Sequence, residues 1–278
     1  MKIDAERFAR DGIFFPAGRI DVSGFVDLYE NFQQESRRLR GKETYIKPHL
    51  VSAWLDRIVR LPAIVEMVAG LIGPDIVLWE SDWAVKRAGT GEYVPRHQDS
   101  PYWNLSSNDV VSVLLAITDV TVENGAMKVV VGSHRLGELG KLSVSGDVHR
   151  SYAAGARTTD EKCMFPYSHE LGDDIDVSNA TSVVLKAGEL SVHSIHIVHG
   201  GEPNPSDRDR IMLGMRYMSA DTRCLSGVDS VTAIQGDCER EYFELEPAAS
   251  GEFAEEDLAA LERALKYPSG FGEAKRLR

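Results

Sequence analysis

Two hydrophobic periods divide the chain. Up to about residue 75 the apolar positions recur every three or four residues, as on one face of a helix; from residue 76 they alternate, as on a strand. In the first region, residues 4–10 read as a helix leading into a short strand at Gly12-Ile13-Phe14-Phe15-Pro16. Residues 22–39 read as a longer helix, with Phe25, Leu28, Tyr29 and Phe32 at i, i+3, i+4 and i+7. Residues 52–59 and 63–71 read as two short helices, the second opened by Pro62 and closed by Gly73-Pro74. The apolar faces of these helices are expected in the core.

In the second region, residues 76–86 alternate cleanly. One face is Val77, Trp79, Ser81, Trp83 and Val85; the other is Leu78, Glu80, Asp82, Ala84 and Lys86. The first set is expected to face the helices, and the second either lines a site or is solvated. Gly89-Thr90-Gly91 reads as a turn. Residues 110–117 read as a buried strand broken only by Ser112, and Asn124-Gly125 as a tight hairpin turn before a strand over 126–131. Further strands are expected at 182–185, 190–199 and 211–218, with a turn at Lys186-Ala187-Gly188-Glu189. Residues 134–180 are long, rich in Gly, Ser and Asp, and weakly patterned, which suits a lid or a disordered segment. Residues 254–266 read as an amphipathic helix, with Phe253, Leu258, Leu261 and Leu265 apolar.

Composition narrows the classes. At 278 residues and 43% hydrophobic content, one substantial core is possible without division into domains. A net charge of −12 argues against a nucleic-acid surface or an anionic membrane patch. Three cysteines (Cys163, Cys224, Cys238), odd in number and irregularly spaced, point to a reducing compartment. The charged start Met1-Lys2-Ile3-Asp4 has no signal-peptide core, and the longest apolar run, 110–117, is too short to span a bilayer. A soluble, cytoplasmic protein acting on a small molecule is expected, with no nucleic-acid or membrane partner and its oligomeric state open.

The chemistry gathers at Arg96-His97-Gln98-Asp99-Ser100-Pro101-Tyr102-Trp103. On an extended segment, His97 and Asp99 project to the same side, giving an imidazole and a carboxylate for a metal. Such pairs arise by chance at roughly 0.6 per chain of this composition. A third ligand, His199 in Val198-His199-Gly200-Gly201, completes the two-histidine, one-carboxylate set of non-haem Fe(II) oxygenases. A turn-rich loop then leads to Arg210, which opens an apolar strand.

With these pieces in order, the chain resembles the phytanoyl-CoA dioxygenase family of Fe(II)- and 2-oxoglutarate-dependent oxygenases. His97-Gln98-Asp99, Asn124-Gly125-Ala126, Gly132-Ser133-His134, Gly188-Glu189, His199-Gly200 and Arg210 carry the likeness over roughly residues 5–220, including the eleven positions from His199 to Arg210. The resemblance implies a mainly β fold with flanking α-helices, a double-stranded β-helix or jelly roll. It implies a single dioxygenase domain over 1–278: helices within residues 1–75, a core over 76–220 with an insertion at 134–180 covering the substrate, and the C-terminal helix 254–266. It implies Fe(II) on His97, Asp99 and His199, and 2-oxoglutarate on Arg210, with O₂ as oxidant; Lys86, on the polar face of residues 76–86, is expected at the co-substrate. The product side is succinate, CO₂ and an oxidised small molecule of secondary-metabolite or amino-acid-like type. Halogenating relatives replace the carboxylate by a small residue, so Asp99 implies hydroxylation or a related oxidation. Two positions depart from the family habit: Gly201 stands where many members carry Ser or Thr, and Val131 where many carry Pro.

Asp82, His193 and Arg216 are expected near the substrate. His193 shares the parity of His199 along one strand, and Arg216 that of Arg210 through Met212 and Gly214. A buried arginine needs a partner, so Arg216 meets a substrate anion or an acid such as Glu80 or Asp82. Tyr102 and Trp103 either contact substrate or pack the rim. His49, His134, His149, His169 and His196 are expected to be structural. A zinc hydrolase on the same ligands has no use for a buried Arg210 and lacks a general base. A non-catalytic jelly-roll binding protein would carry a degraded ligand set, and this one is intact.

Overall fold

The computed structural model describes residues 3–139, 162, 164, 176, 178 and 180–267. The N-terminal region gives α1 (Ala5–Asp11), β1 (Ile13–Phe14), α2 (Phe25–Arg40), α3 (Ala53–Val59) and α4 (Pro62–Ile72). Two sheets follow, and the fold is a jelly roll. The larger has the order β1-β7-β4-β9-β2-β10-β11, from β2 (Ile76–Lys86), β4 (Val110–Ala116), β7 (Leu190–Ser194), β9 (Arg210–Ser219), β10 (Asp229–Gln235) and β11 (Phe243–Leu245). The smaller has the order β3-β8-β5-β6, from β3 (Val94–His97), β5 (Lys128–Val130), β6 (Ala180–Ser182) and β8 (Val198–Gly201). The short α5 (Ser100–Trp103) follows β3, and α6 (Glu255–Ala264) closes the described chain. None of the described helices is long and apolar enough to cross a membrane.

One face of the larger sheet buries against the helices. Trp83 and Val85 of β2, Val111, Val113 and Leu115 of β4, and Ile211, Leu213, Met215 and Tyr217 of β9 form one cluster with Phe32, Trp54, Leu55, Ile64 and Met67. The removal of this much apolar surface from water is what holds the helices to the sheet. The opposite face looks toward the smaller sheet, and the alternation of β9 puts Arg210, Met212, Gly214 and Arg216 there. Leu28 of the expected apolar helix face is 39% exposed, outside the core.

Several local expectations are corrected. The register of β2 against β9 shifts between Leu78 and Glu80, a β-bulge. Parity flips there, so Leu78 joins the helix-facing cluster while Val77 and Trp79 turn to the other side, packing with Trp103 and Met218. Asn124-Gly125 does not close a hairpin. It ends a turn of 3₁₀-helix at Val122–Asn124, with Gly125 left-handed (φ 78°), and the chain crosses to the other sheet. The strand expected over 190–199 is two strands in different sheets, β7 and β8, joined through Ile195-His196-Ile197. The strand expected at 182–185 is centred earlier, on β6. The sheet also runs past residue 220 through β10 and β11, whose mixed composition gave no alternating signal. Of the insertion 134–180, the described positions are 134–139, 162, 164, 176, 178 and 180; the rest, with Cys163, His149 and His169, lies outside the described residues.

Candidate metal and co-substrate site

β3 and β8 lie antiparallel, and His97 and His199 are direct cross-strand partners, their ring centroids 4.2 Å apart. Asp99 reaches the same point differently from expectation. The chain leaves the extended conformation after His97, and Asp99 is helical (φ −74°, ψ −39°) at the start of α5. Backbone N–H groups of Asp99 and Ser100 both donate to Ile195 O at 3.0 Å, which pins this turn against the β7–β8 connection. Gln98 adds to it, donating to Gly137 O (2.9 Å) and His196 O while accepting from Leu139 N–H (2.7 Å).

The donor atoms of His97, Asp99 and His199 all lie within 4.8 Å of one another, and all three residues are buried. Nδ1 of His97 is 2.8 Å from Pro95 O, and Nδ1 of His199 is 3.0 Å from Ile197 O. A carbonyl only accepts, so each Nδ1 carries the proton and each Nε2 presents its lone pair. Those Nε2 atoms stand 3.4 and 3.8 Å from Asp99 Oδ1. Burial is the largest influence on His199 and pushes its pKa down to about 3, with neighbouring His97 adding to the fall, so the ring is a neutral ligand at pH 7. Burial pushes the Asp99 carboxyl up, but the surrounding imidazoles, His199 first, outweigh it and hold the group well below the usual range. Two neutral imidazoles and an ionised carboxylate fit a divalent iron.

A cavity of about 140 Å³ opens beside these donors, lined among others by Asp82, Lys86, Leu114, Met164, His193 and Arg216. At one end, Lys86 and Arg210 are cross-strand partners on β2 and β9. Arg210 is 6% exposed and donates to Gly125 O at 2.7 Å, with its Nε buried and without a hydrogen bond. Lys86 is 1% exposed and donates to Glu202 O. Among the described residues, neither cation forms a salt bridge with a carboxylate. Burial, then the Arg210 charge, pulls the Lys86 pKa down to about 7, and burial alone lowers Arg210 to about 10. Gly201 makes room: a Cβ there would stand 2.8 Å from Lys86 Nζ.

The remaining expected residues divide. Asp82 and Arg216 both line the cavity and form an ion pair with each other. His193 also lines it, 3.8 Å from Asp99 Oδ2, although the single-strand parity behind its choice does not exist. Trp103 is corrected: it is 1% exposed, packs edge-on against Trp79 (5.3 Å), and does not line the cavity. The side chain of Tyr102 lies outside the described residues. His196 is turned away, its ring nitrogens 2.9 Å from Ser100 Oγ and 2.8 Å from Asn108 Oδ1. His49 is buried in a hydrogen-bonded group with Ser81 and Thr232 behind the sheet. Ser112 was missed: its hydroxyl donates to Asp99 Oδ2 at 3.3 Å, and the signal was a lone polar residue interrupting an apolar strand.

Comparison with known proteins follows the same lines. The family model described as phytanoyl-CoA dioxygenase (PhyH) matches residues 24–212. A probable alpha-ketoglutarate-dependent hypophosphite dioxygenase of Stutzerimonas stutzeri is 25% identical over 210 residues, 76% of this chain and 68% of that protein. An L-proline trans-4-hydroxylase of Streptomyces griseoviridis is 34% identical over 85 residues, 29% of this chain and 32% of that protein. Among solved structures, the apo form of the non-heme monooxygenase ThoJ is similar with a TM-score of 0.80 at 27% identity, covering 98% of each chain.

Proposed function

Since the chain belongs to the phytanoyl-CoA dioxygenase family, we propose that it is an Fe(II)- and 2-oxoglutarate-dependent dioxygenase that hydroxylates, or otherwise oxidises, a small molecule. The observation that carries the reading is the pairing of two features in one cavity: three metal donors at one point, and at another two buried cations that form no salt bridge with a carboxylate among the described residues. Buried cations are costly without a counter-charge, and a dicarboxylate co-substrate supplies one.

In this reading His97 and His199 bind iron through Nε2 and Asp99 through a carboxylate oxygen. The carbonyls of Pro95 and Ile197 keep the imidazoles in the binding tautomer. Arg210 offers a planar fork to the distal carboxylate of 2-oxoglutarate, and Lys86 adds a point charge in the space that Gly201 leaves. Leu114, Met127 and Met212 wall the cavity with apolar surface that excludes water. When bound, iron and 2-oxoglutarate would let O₂ serve as the oxidant, one oxygen atom leaving in succinate as the co-substrate loses CO₂ and the other going to the substrate or to water. Asp82 and Arg216 present the edge of an ion pair to a substrate of secondary-metabolite or amino-acid-like type. We take 1–278 as one catalytic domain working in the cytoplasm, in keeping with its acidic charge and odd cysteine count.

His199→Ala is the test. It should lose iron, measured by metal analysis, together with 2-oxoglutarate-dependent succinate release. Retention of both at wild-type level would remove His199 from the site and the reading with it.

A further inference from the structure

The two oxygens of Asp99 have different surroundings. Oδ1 faces the metal-binding nitrogens, 3.4 Å from His97 Nε2 and 3.8 Å from His199 Nε2. Oδ2 faces the sheet. It accepts from Ser112 Oγ at 3.3 Å and stands 3.8 Å from His193 Nε2. Ser112 and His193 are direct cross-strand partners on β4 and β7, and both are buried. The ring of His193 has no hydrogen-bond partner on Nδ1 among the described residues, so its polar contact is through Nε2. A hydroxyl in the otherwise apolar Val110–Ala116 strand and a buried imidazole beside it are both costly to place. Their common neighbour is the one carboxylate oxygen that the histidine ligands do not face.

We propose that Ser112 and His193 are positioning residues that hold Asp99 Oδ2 off the metal, so that the carboxylate binds through Oδ1 alone. The inference rests on the reading of His97, Asp99 and His199 as the ligands. A carboxylate binds a metal through one oxygen or through both. With Ser112 donating to Oδ2 and His193 Nε2 3.8 Å from it, a second bite requires the group to rotate away from Ser112 and abandon that hydrogen bond. Three protein ligands leave about three positions of an octahedral site open. A chelating Asp99 takes one of them and leaves too few for a two-pronged co-substrate and O₂ together.

The experiment counts those positions directly. The full chain is loaded with Mn(II), without 2-oxoglutarate, and water-proton relaxation is measured per bound ion. In Ser112→Ala combined with His193→Leu, metal-bound water should fall, and relaxation per ion should drop by about a third of the wild-type value. His193→Gln keeps an N–H donor and should behave as wild type. Ser112→Ala alone, a minimal change in a buried strand, should show a smaller drop of the same sign and keeps the test available if the double variant does not fold. Wild-type relaxation per bound ion in the double variant overturns the positioning role and leaves the ligand set standing. Failure of the wild-type chain to bind Mn(II) overturns both.

Discussion

Arg210 and Arg216 lie on the same face of the same strand, Arg210 buried and Arg216 partly so, both looking into one cavity, yet their surroundings differ in kind. Arg216 has its carboxylate built in: Asp82 forms an ion pair with it, and Glu80, its direct cross-strand partner on β2, acts on it electrostatically. Gly214 sits between, where a Cβ would overlap both Asp82 Oδ1 and Arg216 Nη1, so the pair can lie flat across the strand. Arg210 has Lys86 as its cross-strand partner instead, a second cation rather than an acid. A charge that the fold neutralises for itself contributes structure. A charge left without a protein anion stores a demand for one, and that demand reads as a binding site.

Breaking the built-in pair should have the largest effect. Asp82→Leu leaves the partly buried Arg216 without that carboxylate and should cost about 3 kcal/mol of stability, the lower end of the range for removing one partner of a buried ion pair because this pair keeps some contact with solvent. Denaturant unfolding would show it, with 2-oxoglutarate affinity in the folded protein little changed. A loss of affinity without a loss of stability would make Asp82 a member of the co-substrate site.

The other end can be sharpened by pH. The pKa of Lys86 is pulled below that of a free lysine, to about 7, by burial and by Arg210 on β9, with Lys128 of β5 adding to the fall and Glu202 after β8 opposing it. The folded protein therefore loses the Lys86 proton as pH rises through about 7, and the unfolded chain keeps it to higher pH. Stability should rise with pH above that point, because the cost of burying the ammonium is relieved. Affinity for 2-oxoglutarate should move oppositely, falling by up to about tenfold per pH unit above about 7 as binding must first recover the proton. Lys86→Met should bind more weakly at low pH and lose that slope; an unchanged slope would place the titrating group elsewhere.

Smallest is the glycine that separates the paired charges. Gly214→Ala should lower stability by roughly 1–3 kcal/mol through overpacking, read as a fall in melting temperature, and leave co-substrate binding alone. An unchanged melting temperature would mean the pair lies elsewhere than across this glycine.

Legibility in the sequence followed how local each cause is. β2 and β9 were readable because alternation over ten or more residues is a strong period-two signal, and parity along β9 carried Arg210 and Arg216 to one face. The bulge at Trp79 was not readable, since the inserted residue is decided by pairing with a strand more than a hundred residues later. The break between β7 and β8 was hidden for a related reason: Ile195 and Ile197 continue the apolar run while the chain changes sheets. His97 and Asp99 were found by spacing, although Asp99 arrives through a helical turn rather than along a strand. Trp103 looked like rim because it neighbours the ligands in sequence; Trp79, brought close only by folding, claims it. Ser112 and the slot that Gly201 leaves for Lys86 depend on tertiary contacts, and left only a lone hydroxyl and a departure from family habit to notice.

The contrast between the two arginines is tested most directly by 2-oxoglutarate binding to the Mn(II)-loaded protein, measured calorimetrically for wild type, Arg210→Ala and Arg216→Ala. Removing the Arg210 fork should cost about 2–5 kcal/mol, the range for truncating one partner of a buried charge pair, which is a weakening of roughly thirtyfold or more at ~1.4 kcal/mol per factor of ten. Arg216→Ala should leave the affinity within about threefold of wild type and lower the unfolding midpoint instead. Tight binding by Arg210→Ala together with weak binding by Arg216→Ala would contradict the account, placing the co-substrate on the arginine that the fold already neutralises.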